Sequence, residues 1–273
     1  MMNLKTFIAL LLLSLSQFAQ ADVMVLVHGY LGDINSWEKA GINDTLDANG
    51  WKRAGFYLGS AQGPRLFTKD YGKAKNIVFV ASLPSEAPVT AQADILNLIL
   101  NDIRQRHPDE AIVLVGHSAG GVVARAALVL YPQANIRALI TIASPHLGTY
   151  RANQALTITN NHGPFNFVKR FVGGNDYVAL EHSRALMHDL QPIQPGNFLD
   201  WLNSQPHPDI AYVSIIRTQP NGLAGDSLVP GYSQDMNNVR ALRGKSATYG
   251  TPTSHYLVRD DSFTLLDILK TLK

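Results

Sequence analysis

Cysteine is missing from this 273-residue chain. That absence removes disulfides, thiolate nucleophiles, cysteine zinc sites and cysteine-held iron–sulfur clusters from the chemistry open to it. Charge is also scarce: charged residues make up 16%, and 23 Lys and Arg face 21 Asp and Glu, a formal charge of +2. So balanced a chain lacks the clustered basic face of a nucleic-acid binder. After the first 21 residues no apolar run is long enough to span a bilayer. What the chain does have is hydrophobic residues, at 46%, which excludes disorder as its main state. About 250 residues suffice for one large α/β core or two small ones.

The first 21 residues read as an address. Met1 to Lys5 is short and basic, Phe7 to Leu15 (FIALLLLSL) is apolar, and Ala19-Gln20-Ala21 supplies small residues at a cleavage-site spacing. That order is expected of a secretory signal peptide cut after Ala21, and the apolar stretch is too short for a span. Lys5 is its one charged residue, so residues 22–273 carry +1. The expected product is soluble and either secreted or periplasmic.

Beyond Ala21, strand-like runs alternate with helix-like ones. Val23–Val27, Phe56–Leu58, Ile77–Ala81, Ile112–Val115, Leu139–Ala143 and Tyr212–Ile216 are short apolar runs suited to strands buried on both faces, with a last candidate around Val239–Leu242. Helices are expected over Ser36–Asn49, Val89–Arg106, Val122–Tyr131 and Phe263–Leu272. The alternation implies an α/β fold with a mostly parallel sheet covered by helices on both faces. Residues 149–208 break the rhythm and read as an insertion.

Gly116-His117-Ser118-Ala119-Gly120 matches G-x-S-x-G, a pattern expected by chance about 0.1 times in such a chain. Its context carries more weight. The run IVLV enters it and an Ala/Val-rich helix leaves it, the strand–turn–helix arrangement that projects a nucleophilic serine. A serine hydroxyl needs a base, and the base needs an orienting acid. Among nine histidines, His255 stands in a polar loop before the terminal helix, and His146 is its main rival. Asp226 follows the YVSII strand, with Asp235 in reserve, giving the order serine, aspartate, histidine. His28-Gly29-Tyr30-Leu31-Gly32 follows the first strand, so the amides of Tyr30 and Ala119 are candidate oxyanion donors.

In the insertion, Phe165, Phe167, Val168, Phe171 and Val172 fall within about 160° of a helical wheel, opposite Asn166, Lys169 and Arg170. A helix over Pro164–Val172 is therefore expected to line an acyl pocket through Phe167 and Phe171, and a moving helix there would touch a lipid interface.

Taken together, HGYLG at 28–32, GHSAGG at 116–121, TIASPHLGT at 141–149, GDSLVP at 225–230 and SHYL at 254–257 make the chain resemble α/β-hydrolase-fold lipases and esterases, close to secreted bacterial triacylglycerol lipases. Ala185 to Asn203 resembles a cap segment of such enzymes. The resemblance implies Ser118 as nucleophile, His255 as base, Asp226 as acid, and an ester or lipid substrate. Because the first strand begins almost at residue 22, the usual first two strands of that sheet are expected to be absent. Calcium-binding members place an aspartate two residues after the histidine, where this chain has Leu257, although Asp260 and Asp261 are near. No cofactor or metal is expected, since three side chains and two amides account for the chemistry. Acyl transfer, amide or thioester chemistry on the same residues, or a non-catalytic binding protein, are the alternatives.

Overall fold

The computed structural model describes residues 22–158 and 179–272. Eight strands form one sheet: β1 (Asp22–Val27), β2 (Trp51–Leu58), β3 (Arg65–Thr68), β4 (Asn76–Ser82), β5 (Ala111–His117), β6 (Ile136–Ile142), β7 (Ala211–Arg217) and β8 (Ser246–Thr251). Their spatial order is β3-β2-β4-β1-β5-β6-β7-β8. Every neighbouring pair is parallel except β2 with β3. The alternation of strands and helices predicts this mostly parallel sheet, and its layout is the one that the resemblance to α/β-hydrolase enzymes implies. Phe167, Phe171 and the Pro164–Val172 helix lie outside the described residues.

β1 shows why both faces are covered. Val23, Val25 and Val27 join one apolar cluster and Met24 and Leu26 the other, because successive side chains point to opposite faces. α3 (Val89–Arg106) and α4 (Ala119–Leu130) supply buried residues to the first cluster. α2 (Ile42–Ala48) and α8 (Asp260–Thr271) close the second, with Trp37 of α1 (Ser36–Lys39) fully buried beside them. Between β6 and β7 the described residues hold helices only: α5 (Tyr150–Ile158), α6 (Arg184–Asp189) and α7 (Phe198–Ser204). Asp189 ties this segment to the core by accepting the Val89 amide at 2.8 Å, one of the four donors a helix start leaves open.

Three elements differ from expectation. Val239–Leu242 is not a strand: Arg240–Leu242 is a 3₁₀ turn, and Val239 and Leu242 are buried in the first apolar cluster. The last strand is β8, whose sequence SATYGT has no apolar run because none of its residues is fully buried. The helix expected over Ser36–Asn49 breaks at Gly41, which takes φ +72°, and Ser36 does not cap it. Ser36 Oγ instead accepts the Asp33 amide at 2.9 Å. Finally, no strand precedes β1 among the described residues, yet the sheet still has eight strands. Residues 51–68, where the sequence suggests only the short strand Phe56–Leu58, form β2 and β3 and fill that edge.

Candidate active site

Ser118 sits where β5 turns into α4, with φ 51° and ψ −128°. The residue stands at the carboxyl end of β5, and so rare a backbone state costs about 1–3 kcal/mol. The Ser118 amide donates to the Ile142 carbonyl at 2.8 Å, and Gly121 donates to the Ser118 carbonyl at 3.1 Å, which hold the strain in place. Close approach does the rest. A Cβ on Gly120 would lie 2.2 Å from the His28 carbonyl oxygen, and one on Gly29 would lie 2.8 Å from Ser118 Cβ. The turn after β1 therefore packs directly on the serine turn only because both positions are glycine.

The structure brings Ser118, His255 and Asp226 into one hydrogen-bonded chain. His255 Nε2 is 2.9 Å from Ser118 Oγ, and His255 Nδ1 is 2.9 Å from Asp226 Oδ2. Asp226 Oδ1 also accepts the amides of Leu228 at 2.7 Å and Val229 at 2.8 Å, and Oδ2 accepts Gln234 Nε2 at 3.0 Å. Burial pushes the Asp226 pKa up, but the His255 hydrogen bond and charge and the two amides outweigh it, and the net shift is down. An ionised Asp226 only accepts, so Nδ1 carries the ring proton and Nε2 presents its lone pair to the serine hydroxyl. That is the tautomer a general base requires.

The neighbouring histidines have other tasks. His28 Nε2 accepts the Leu83 amide at 3.1 Å, so its Nδ1 donates to the Gly29 carbonyl at 3.0 Å and fixes the loop that carries Tyr30. His117 Nε2 donates to the His255 carbonyl at 2.9 Å, and burial, with His255 close by, lowers its pKa to about 3. His146 is fully buried against Thr141 Oγ1 at 3.1 Å and faces no carboxylate bond, so it does not serve as the base. Asp235 accepts from Asn237 and Thr248, away from His255.

The cleft in front of Ser118 measures about 590 Å³ and is bounded by Tyr30, Leu31, Lys39, Leu228, Tyr256 and Leu257. Leu31 and Tyr256 are 55% and 69% exposed, so the mouth is apolar as well as open. Tyr30 follows Gly29 at the wall, and Ala119 is the first residue of α4, where helix amides have no partner within the helix. Two contributors escaped the sequence reading, Gln234 and Arg217, and a third, Asp261, entered it only as a carboxylate near a calcium position. Each is buried, at 1%, 0% and 1% exposure. Only Arg217 gave a signal, as a charge ending an apolar strand.

The site does not fit a calcium ion. Leu257 offers no side-chain oxygen, and both Asp261 oxygens are taken by Arg217 and the Val258 amide. Among the described residues no cluster of three His, Asp or Glu side chains could hold a metal.

Comparison with known proteins agrees with this fold. Solved structures similar to the chain include the lin2722 product of Listeria innocua, with TM-score 0.61, 17% identity and 92% of each chain covered. The mature lipase BlEst2 of Bacillus licheniformis gives 0.57, 17% and 93% of each chain. The RedJ thioesterase of the Streptomyces coelicolor prodiginine pathway gives 0.51 and 15%, covering 93% of this chain and 87% of that one. A Drosophila melanogaster protein, a lysosomal thioesterase PPT2 homolog, is 39% identical over 59 residues. That match takes in 22% of this chain and spans only 20% of the relative's length. Residues 22–188 match the family described as alpha/beta hydrolase fold, and the chain belongs to that family.

Proposed function

We propose that this chain is a serine hydrolase that cleaves carboxylic esters through an acyl-enzyme. The observation that carries the reading is the Ser118–His255–Asp226 hydrogen-bonded chain, 2.9 Å at each link, at the carboxyl ends of parallel strands. Ser118 Oγ attacks the ester carbonyl while His255 Nε2 takes its proton, and Asp226 stabilises the imidazolium. The amides of Tyr30 and Ala119 face the tetrahedral oxyanion. Collapse of that intermediate expels the alcohol, which receives the proton from His255. Water then attacks the acyl-Ser118 ester by the same route and releases the acid.

Lipase and esterase relatives favour an ester or lipid substrate, with an oxygen ester as the first reading. The thioesterase names among the relatives favour a second, a thioester, since an acyl-enzyme forms equally from either. Phe167 and Phe171 are assigned to the acyl pocket from their periodicity. Export through a cleaved signal peptide completes the proposal and would be checked by N-terminal sequencing of the exported protein, which should begin at Asp22.

A fluorophosphonate should label Ser118 stoichiometrically. Matched oxygen esters and thioesters of increasing acyl length should then show turnover favouring the oxygen ester. Absence of both labelling and turnover on every ester would overturn the reading, and a thioester preference would replace the first form with the second.

A further inference from the structure

Arg217 and Asp261 form a two-point ion pair with both side chains fully buried: Nη1 to Oδ1 at 2.5 Å and Nη2 to Oδ2 at 3.0 Å. Burial of two charges is a poor way to stabilise a fold, because the loss of hydration roughly cancels their attraction. Their remaining bonds indicate what the pair does. Arg217 Nη2 donates to the Tyr256 carbonyl at 3.0 Å, and Asp261 Oδ2 accepts the Val258 amide at 2.9 Å. These groups lie one and three residues after His255. Arg217 reaches the acid as well. Its backbone amide donates to Gln234 Oε1 at 2.8 Å, and Gln234 Nε2 donates to Asp226 Oδ2 at 3.0 Å. Four of the five guanidinium N–H positions are used through Nη1 and Nη2, with Thr251 Oγ1 the fourth partner at 2.8 Å.

We propose that the buried Arg217–Asp261 pair is a positioning device for the catalytic base: it fixes the backbone after His255 and, through Gln234, the carboxylate that orients the ring. The pair touches no substrate and acts only through His255 and Asp226. Its charges are retained because a planar fork held by a carboxylate defines one geometry, which apolar packing of the same volume does not. The inference rests on the proposed Ser118 hydrolase reading.

The test uses the full chain, with R217K, which keeps charge but loses the fork, and the double variant R217M/D261L, which removes both charges together. Both should still fold, with Tm lowered by several degrees because buried groups lose partners. On a short p-nitrophenyl ester, kcat should fall about 10- to 100-fold, as small misplacements of a base do, while KM stays within about twofold. The low-field proton resonance of His255 Nδ1–H should be present in the parent and lost or broadened in both variants. Parental kcat and an unchanged resonance in either folded variant would overturn the proposal. Failure of both variants to fold would make the pair structural and overturn it too. Should the parent neither hydrolyse esters nor label at Ser118, the hydrolase reading fails, and the resonance comparison still decides the positioning role.

Discussion

The serine and the histidine meet 2.9 Å apart, but the parts of the molecule that deliver them are built on different physics. On the serine side, β1, β5 and α4 are almost wholly apolar, and position is set by contact: glycines at 29 and 120 let two turns touch, and a strained Ser118 is held by two backbone bonds. On the histidine side, β8 and the loops that follow β7 and β8 are polar, and position is set by hydrogen bonds among buried groups: Gln234, Arg217, Asp261 and His117. A steric clamp tolerates no added atom, whereas an electrostatic clamp tolerates volume but not the loss of a partner.

The largest expected effect falls where the two halves join. Ser118→Ala or His255→Ala should lower kcat by about 10⁴- to 10⁶-fold with little change in Tm, because the residues act as a unit. Asp226→Asn should cost on the order of 10⁴-fold through the wrong imidazole tautomer. Asp235→Asn should stay near the parent, since that carboxylate only caps the turn at Met236 and bonds Thr248. A dead Asp235→Asn beside an active Asp226→Asn, measured on one ester, would reverse the assignment of the acid.

One substitution on each side sharpens the contrast. Gly120→Ala places a methyl 2.2 Å from the His28 carbonyl, whose ring is already pinned at both nitrogens. Urea unfolding should show a loss of about 2–4 kcal/mol, with activity falling alongside it. Gln234→Leu keeps the volume but strips Asp226 and the Arg217 amide of a partner. It should cost about 1–3 kcal/mol and about tenfold in kcat. Equal tolerance of both changes would remove the distinction between the clamps.

How much of this was legible in the sequence follows the same divide. Apolar strands and glycine turns write themselves into the chain as runs and spacings, so β1, β4, β5, β6 and β7 and the Ser118 turn were readable from local pattern. The polar side writes no period. β8 is an edge strand without an apolar residue at every second place, so the buried Val239 and Leu242 nearby drew the assignment instead. Gln234 resembles any helix-surface glutamine until β7 buries it, and Asp261 resembles an exposed first-turn carboxylate. Only the pairing of segments far apart in the chain gives them their roles.

Acid should find the buried polar groups first. His117 has its pKa lowered to about 3 and His207 to about 4, chiefly by burial, and His28 and His146 are lowered for the same reason. Unfolding lets each return to an ordinary value near 6.5, so the unfolded state binds more protons below that pH. Their contribution is intact above about pH 6.5 and falls away as pH drops toward 4. Asp226, with a lowered pKa, contributes above the ordinary carboxylate value of about 3.9 and is lost only below it, so the earlier decline belongs to the histidines. Each fully buried ring steepens the slope by at most about 1.4 kcal/mol per pH unit. His207→Gln keeps an acceptor for Arg125 and removes the titration. Urea midpoints at pH 7, 6 and 5 should then fall less steeply than in the parent, by less than a full proton's worth because the ring keeps some solvent contact. An unchanged slope would exclude His207 from the set.

The smallest expected effect is none at all, and it probes the polar clamp from outside. A loop that carries a catalytic histidine needs its carbonyls held, and a bound cation is one way to do it. Here the His255 carbonyl accepts a hydrogen bond from His117 and the Tyr256 carbonyl one from Arg217, while Asp261 is spent on Arg217 and Val258. With those oxygens already paired, Asp260 is the carboxylate of that segment left to a divalent ion, far short of the roughly six to eight oxygens that calcium takes. Incubation with EDTA should therefore leave kcat and Tm within error of the untreated protein, and added calcium should shift neither. A fall in Tm on chelation that calcium restores would place a metal where these bonds now stand, and would make the histidine side depend on an ion rather than on Arg217.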